Sequence, residues 1–205
     1  MSDLPGEAEG SRTDKIALRS RLLTVRRSRN PSQLADAATA LQDQIHALVR
    51  RQAPATVAAY VPSSSEPGGP GLPALLASLG RLLLPVLVPD DNLDWAEFTG
   101  PLAPGRRGLP EPTGPRLGVD AIRSADLVLV PALAVDRRGM RLGRGGGSYD
   151  RVLARLAPTA TLIVALLHEG ELVERVPAEP HDRPVHAVVT PSGVVSLIPA
   201  VEWTK

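Results

Sequence analysis

The sequence predicts a single α/β domain built on a mostly parallel central sheet that is flanked by helices. Short apolar runs alternate along the chain with segments whose apolar residues recur at helical spacing. The runs are apolar on both faces, which is typical of strands buried in a parallel sheet. The chain of 205 residues is long enough for one sizeable core and short for two.

The first segment of the domain predicts a helix. Residues 1–14 are polar, and we expect a disordered tail there, followed by one domain over residues 15–205. Apolar residues between Lys15 and Arg29 recur at helical spacing among many arginines, and Pro31 should end this helix.

A second helix should follow, with Ser32 as its N-cap and Pro54 beyond its end. Its predicted core-facing stripe consists of Leu34, Ala38, Leu41, Ile45 and Leu48.

Five apolar runs then predict strands, and the segments between them predict short helices. The runs are Thr56–Val61, Leu82–Val88, Leu127–Val130, Thr161–Leu167 and Val185–Thr190. The helical segments are Pro73–Leu79, Asp120–Ala125 and Tyr149–Leu156. Pro85 predicts an edge strand or an irregularity, because proline cannot donate to the ladder. The stretch from Asp90 to Gly118 is rich in proline and glycine and is expected to be a long surface excursion.

Composition excludes several classes of protein. The net charge of +1 gives no general attraction to nucleic acid or membrane. The chain has no cysteine, so thiolate metal sites and disulfides are excluded. The run Leu82–Val88 is too short to span a bilayer, and the first residues lack the pattern of a signal peptide. We therefore expect a soluble cytoplasmic protein that binds neither nucleic acid nor membrane.

The stretch from Arg141 to Arg151 is the strongest candidate for a binding site. Four glycines at positions 143, 145, 146 and 147 let successive backbone N–H groups turn toward one anion. A helix beginning near Ser148 would add the free N–H groups of its first turn, and Arg141 and Arg144 add charge. A flexible surface loop is the alternative interpretation.

Two familiar templates do not fit this loop. A Walker A loop ends in Gly-Lys-Ser/Thr, and no lysine lies between Lys15 and Lys205. A nucleophile elbow has glycine two residues after its serine, whereas Asp150 follows Ser148 at that distance.

Because parallel strands gather ligands at their carboxyl ends, the loops after Val61 and Val130 and the loop near Pro180 should face one cleft. Outside the glycine loop, Lys15 and Arg19 share one helix face, either as a solvated basic pair or as phosphate ligands. Glu66 follows a strand end. The segment from Glu179 to His186 superficially resembles a zinc site, but its prolines disfavour the two-histidine geometry.

In order along the chain, these features resemble the 5-formyltetrahydrofolate cyclo-ligase family, also called 5,10-methenyltetrahydrofolate synthetases. The resemblance covers Lys15 to Gly193. Its motifs are Lys15-x-x-x-Arg19; Tyr60-Val-Pro followed by Glu66; Leu127 to Asp136 running into Arg141-Leu-Gly-Arg-Gly-Gly-Gly-Ser-Tyr-Asp150; and Glu179-Pro-His-Asp182 leading to Val188-Val-Thr-Pro191.

The resemblance implies a fold similar to the NagB/RpiA/CoA-transferase-like group and conversion of 5-formyltetrahydrofolate, with or without a polyglutamate tail, to 5,10-methenyltetrahydrofolate. ATP would be the cosubstrate, Mg²⁺ would be required, and a monomer is expected. Lys15 and Arg144 would be catalytic, Val61 and Glu66 would face the folate, and Asp150 and Asp182 would bind the metal. The implied ATP contacts are Lys15, Arg19, Arg141, Leu142, Gly143, Arg144, Gly145, Gly146, Gly147, Ser148 and Tyr149.

Three positions depart from the family pattern. Ser148 stands where tyrosine is usual, Pro67-Gly68-Gly69 follows Glu66 in place of Val-Asp/Asn-Thr, and His186 replaces a frequent aspartate. Two alternatives therefore stay open: a weakly active relative that binds folate or nucleotide as a sink or sensor, and a sugar-phosphate isomerase of the same fold group.

Overall fold

The computed structural model describes residues 5–179 and 182–197, with the side chains of residues 5–11 left out. The helices are Pro5–Ser28 (α1), Pro31–Gln52 (α2), Leu72–Leu79 (α3) and Ser148–Leu156 (α4), with 3-10 turns at Arg106–Gly108 and Val119–Ser124. The strands are Thr56–Ala58 (β1), Arg81–Leu87 (β2), Leu93–Glu97 (β3), Leu102–Pro104 (β4), Pro110–Pro112 (β5), Leu127–Pro131 (β6), Ala134–Asp136 (β7), Arg141–Leu142 (β8), Leu162–Leu166 (β9), Leu172–Val173 (β10), Ala187–Thr190 (β11) and Gly193–Ser196 (β12).

The central sheet has seven strands in the order β12-β11-β9-β6-β1-β2-β3. The five inner strands pair in parallel, and β3 and β12 join the two edges antiparallel. The chain leaves β1 toward β2 and leaves β6 toward β9, in opposite directions along the sheet. The boundary between β1 and β6 is therefore the switch point where a crevice opens at the carboxyl ends.

Two apolar layers cover the two faces of the sheet, because successive side chains of each strand point to opposite sides. Val57, Leu82 and Leu129 pack with the stripe of α2 and with α3. Ala58, Leu83 and Val128 pack on the other face, together with Val152 and Leu156 of α4. These two layers confirm the predicted α/β class with its mostly parallel sheet.

Helix α1 lies outside these layers and packs on a separate three-stranded sheet of order β10-β7-β8. Leu22 contacts Leu133, Leu142 and Val176 in a small third core. The helix begins at Pro5 rather than at Lys15, so part of the segment expected to be a disordered tail is helical. Residues 1–4 of that segment lie outside the described residues.

Two details of the helices and strands differ from the sequence prediction. Asn30, rather than Ser32, caps α2: its side chain accepts the N–H of Gln33, and the Gln33 side chain accepts the N–H of Asn30. The predicted strand over residues 56–61 ends at Ala58, and the next residues stay buried while they turn into the cleft.

Pro85 does not lie on an edge strand, because β2 stands between β1 and β3. The Leu83 carbonyl faces β1, where it accepts the Ala59 N–H, and the Leu82 carbonyl faces β3, where it accepts the Phe98 N–H. Alternation turns the backbone of Pro85 toward the β1 side, beyond the last residue of β1. Its missing N–H therefore falls where the ladder between β1 and β2 ends.

The stretch from Asp90 to Gly118 is more than a surface excursion. It contains β3, whose Trp95 and Ala96 are fully buried, and the hairpin of β4 and β5. Tertiary pairing of β3 with the apolar strand β2 supplies the burial that the local composition does not predict.

Candidate active site

Three connected compartments form one cleft at the switch point. The cationic compartment, of about 350 Å³, is lined by Arg12, Lys15, Arg19, Arg141, Asp150 and Asp182 with the glycine loop. The central compartment, of about 220 Å³, shares Arg141, Asp150 and three loop glycines with it and adds Arg144, Ser148 and Tyr149. The apolar compartment, of about 130 Å³, shares Glu66, Leu109, Pro131 and Tyr149 with the central one. The number of charged lining side chains therefore decreases from the cationic compartment, through the central one, to the apolar compartment.

Arg141 is placed by the turn between β7 and β8. The buried carboxylate of Asp136 accepts the N–H groups of Arg138, Met140 and Val176. Burial alone would raise the pKa of Asp136, but these hydrogen bonds, led by that of Val176, hold it below its ordinary value. Gly139 completes the turn at a φ of +82°, where a Cβ would lie 2.4 Å from the Val185 carbonyl oxygen.

Arg141 is 8% exposed, and its guanidinium pairs with the Asp150 carboxylate at the start of α4. Its Nη1 donates to the Pro131 carbonyl at 3.3 Å. Burial lowers the pKa of Arg141, and the charge of Asp150 opposes this effect. A Cβ on Gly143 would lie 2.8 Å from Arg141 Nη1, so glycine at 143 leaves room for the guanidinium.

Helix α1 brings Lys15 and Arg19 to the same loop. Lys15 Nζ lies 2.9 Å from Asp182 Oδ2 and 3.5 Å from Glu179 Oε1. Arg19 Nε donates to the Gly143 carbonyl at 2.9 Å. The loop near Pro180, which was expected to face the cleft, therefore reaches it through the carboxylates of Glu179 and Asp182. Pro180 and His181 themselves lie outside the described residues.

The loop after β1 carries Glu66 into the cleft. Glu66 Oε2 accepts the Ser63 N–H at 2.8 Å, and Oε1 lies 3.2 Å from Arg144 Nε. The Pro67-Gly68-Gly69 segment that follows is fixed locally: the Tyr60 hydroxyl donates to the Pro67 carbonyl at 2.7 Å, and both glycines take positive φ. The Glu66–Arg144 pair lies where the central and apolar compartments meet.

Tyr149 lines both of these compartments, and its hydroxyl is buried with no hydrogen-bond partner among the described residues. Burial, and then the negative charge of Glu66, raise the pKa of Tyr149 above its ordinary value. The phenol is therefore held in its protonated form.

The glycine loop fits a phosphate group. In the described part of the chain, the backbone N–H groups of Gly145 and Gly146 reach no protein acceptor. Gly145 and Gly147 have φ of +103° and +72°, a region that favours glycine. Gly147 precedes α4, whose first N–H groups point at the same space.

The fit to a metal rests on two carboxylates. Asp150 and Asp182 line the cationic compartment together, and each holds a cation of the protein. No group of three or more His, Asp or Glu side chains arranged for a metal occurs among the described residues. Mg²⁺ takes one or two protein carboxylates and completes its shell with phosphate oxygens and water, so this pair suits it.

The sequence motifs did not predict some of the residues that line the cleft. Arg12 lies one helical turn before Lys15, so its spacing could have indicated it. Leu109, in the stretch expected to be surface, lines two compartments and carries no local signal. Arg26 reaches the central compartment while its guanidinium binds Glu171 at 2.7 Å, far away in sequence.

The fold and the cleft together define a single-domain α/β protein with a cationic, glycine-rich loop at the switch point of its sheet. Within residues 5–179 and 182–197, no helix is both long enough and apolar enough to cross a bilayer.

The sequence model of the 5-formyltetrahydrofolate cyclo-ligase family matches residues 11–191, and the chain belongs to this family. A 5-formyltetrahydrofolate cyclo-ligase of Mycolicibacterium smegmatis is 44% identical over 89% of this chain and 97% of the relative. The Escherichia coli K12 protein of that name is 38% identical over 56% of this chain and 65% of its own length.

Solved structures agree with this placement. The chain superposes on a 5,10-methenyltetrahydrofolate synthetase of Aquifex aeolicus with a TM-score of 0.77 and 27% identity, over 89% of this chain and 92% of that one. A 5,10-methenyltetrahydrofolate synthetase of Mycoplasma pneumoniae shares the fold at a TM-score of 0.69 and 19% identity, over 87% and 99% of the two chains.

Proposed function

We propose that this protein converts 5-formyltetrahydrofolate to 5,10-methenyltetrahydrofolate, with ATP hydrolysed to ADP and phosphate. The observation that carries the proposal is the continuous cleft, which joins a cationic compartment on a glycine loop to an apolar compartment that Glu66 lines. Family membership supports the ligase activity and the folate substrate.

The reaction needs activation of a poor leaving group. The formyl oxygen attacks the γ-phosphorus of ATP, ADP departs, and the formyl carbon becomes an iminium phosphate. The neighbouring folate nitrogen then attacks that carbon, loses its proton, and the C–O bond breaks as phosphate leaves. No protein nucleophile takes part, so positioning and charge balance are what the protein supplies.

The described residues suit these tasks. Lys15, Arg19 and Arg141 surround the cationic compartment and would bind the phosphates together with the loop N–H groups. Arg144 pairs with the Glu66 carboxylate and lines the central compartment, where it would neutralise charge on the phosphoryl group in transfer. Asp150 and Asp182 would hold Mg²⁺, which supplies further charge neutralisation when it is bound.

One assay tests the proposal directly. Purified protein with 5-formyltetrahydrofolate, Mg²⁺ and ATP should give the methenyl product, followed by its absorbance, with one phosphate released per product. Binding of folate or ATP without ATP-dependent product would contradict the enzyme proposal and favour the sink or sensor alternative. Phosphate binding without any response to ATP or folate would favour the isomerase.

Variants of the cleft should separate the two substrates. Lys15→Ala should reduce kcat/KM for ATP roughly tenfold to a hundredfold, because it removes a charge-assisted contact. Glu66→Ala should mainly raise KM for the folate. Arg21→Ala, an exposed position on the same helix as Lys15, is the matched control and should leave both constants unchanged. Unchanged ATP kinetics in Lys15→Ala would remove Lys15 from the phosphate site.

A further inference from the structure

A second carboxylate, that of Glu111, lines the apolar compartment together with Glu66. Glu111 lies in the middle of β5, in the hairpin that β4 and β5 form beside β2. None of the motifs that resemble the family includes it, and the reaction described above gives it no task.

The Glu111 carboxylate is held in position from two sides. Its Oε1 accepts the N–H of Leu87, at the end of β2, at 3.0 Å. Across the hairpin, a Cβ on Gly105 would lie 2.0 Å from the carboxyl carbon and 2.4 Å from Oε2. Glycine at 105 thus leaves the space that the side chain occupies, and any larger residue would push the carboxylate out of place.

The two carboxylates of this compartment differ in their partners. Glu66 is paired with Arg144 and accepts the Ser63 N–H. Among the residues with described side chains, no cation forms an ion pair with Glu111. A ligand that fills the apolar compartment would take water away from this charge, which is unfavourable unless the ligand itself donates hydrogen bonds.

We propose that Glu111 determines substrate specificity by accepting N–H groups from the aminopyrimidinone ring of the folate. This inference rests on the proposed function. The ring presents a 2-amino group and a ring N–H side by side, and such a donor pair matches the two oxygens of a carboxylate. The adenine of ATP offers an amino group beside an acceptor nitrogen, so it matches a carboxylate on one oxygen only.

The test compares two ligands in two proteins of full length. The ligands are 5-formyltetrahydrofolate and its analogue without the 2-amino group, and the proteins are the wild type and Glu111→Gln. Glutamine keeps an oxygen for the Leu87 N–H and nearly the same volume, so the hairpin retains its support.

For the natural substrate, Glu111→Gln should raise Kd and KM roughly tenfold to a hundredfold, with KM for ATP unchanged. The wild type should reject the analogue by a similar factor, and the variant should discriminate much less between the two ligands. Glu97→Gln, at an exposed position of β3 and paired with Arg81, is the matched control and should behave as the wild type.

Gly105→Ala provides a second variant, because it displaces the carboxylate without removing it, and it should weaken folate binding in the same direction. Equal losses for both ligands in Glu111→Gln would show a merely structural role and overturn the inference. If the wild type is active and Glu111→Gln leaves Kd and KM for the folate unchanged, the role of Glu111 is overturned and the proposed function stands. A wild type that neither binds the folate nor forms product would overturn the proposed function as well.

Discussion

Each main cation of the cleft is held by a carboxylate of the protein. Lys15 pairs with Asp182, Arg141 pairs with Asp150, and Arg144 pairs with Glu66. Asp150 and Arg144 are substantially exposed, so the two pairs to which they belong contribute little to the free energy of folding. Their effect is on geometry, because each holds a long side chain in the orientation in which it faces the cleft.

His168 shows how burial makes a single residue sensitive to pH. Its Nε2 lies 3.1 Å from the Ser65 carbonyl oxygen, which requires Nε2 to be the protonated nitrogen. Its Nδ1 is buried with no partner in the described structure. Burial therefore lowers the pKa of His168 below its ordinary value of 6.5. Burial lowers the pKa of His186 in the same way, and the His186 Nδ1 accepts the Ile163 N–H.

We predict that the protein loses stability as pH falls below about 6.5. Both histidines bind protons more weakly in the folded state, so the unfolded state takes up more protons and is favoured in acid. The change in melting temperature between pH 7 and pH 5 should be smaller in His168→Gln than in the wild type. His46→Gln, on α2, is the control. An unchanged slope in His168→Gln would contradict this account.

At the scale of the element, α2 begins with Asn30 as its N-cap, and the prediction of Ser32 as the cap was wrong. Both Asn30 and Ser32 are good N-cap types, and Pro31 lies between them. The helix begins at Pro31 because proline is well accommodated at the first helical position, and this places the cap at Asn30. Ser32 then lies within the first turn, with its hydroxyl 3.5 Å from Asp36.

The two positions can be compared in one experiment. Asn30→Ala should lower the free energy of unfolding by about 1 kcal/mol, because two hydrogen bonds of the capping box are lost. Ser32→Ala should change it by less than about 0.5 kcal/mol. Urea denaturation followed by circular dichroism measures both values. The reverse order of effects would mean that Ser32 is the cap in solution.

The glycine loop is the element whose prediction from sequence agrees best with its conformation. Gly145 and Gly147 take left-handed backbone conformations, and α4 begins at Ser148 directly after them. Local chemistry explains this success, since only a residue without Cβ adopts such conformations readily. That the loop binds ATP stays a prediction.

At the scale of the whole molecule, α1 is tied to the domain by ion pairs that span most of the sequence. Lys15 and Asp182 are separated by 167 positions, and Arg26 and Glu171 by 145. Arg26 is 2% exposed, and its guanidinium donates two hydrogen bonds to Glu171 and a third to the Ala132 carbonyl. This buried pair joins α1 to the wall of the central compartment.

Breaking this pair should destabilise the protein strongly, because the buried Glu171 carboxylate loses its cation and keeps only the hydrogen bond from the His168 N–H. Arg26→Met should lower the free energy of unfolding by about 3–5 kcal/mol. Arg27→Met, at the adjacent exposed position, should change it by less than about 0.5 kcal/mol. Chemical denaturation measures both. A loss below about 1 kcal/mol in Arg26→Met would show that the pair is not the main link between α1 and the domain.

The α/β class, the five parallel strands and the glycine loop could be predicted from the amino-acid sequence, because apolar periodicity and glycine chemistry act over a few residues. The sequence did not predict that Trp95 belongs to the central sheet, that Glu111 lines the apolar compartment, or that Arg26 meets Glu171. Trp95 is buried because β3 pairs with the apolar strand β2, and Glu111 lines the compartment because the hairpin of β4 and β5 packs beside β2. Arg26 and Glu171 meet although 145 positions separate them. These facts follow from the tertiary packing of the chain, since burial and partner choice arise from contacts that local spacing does not encode.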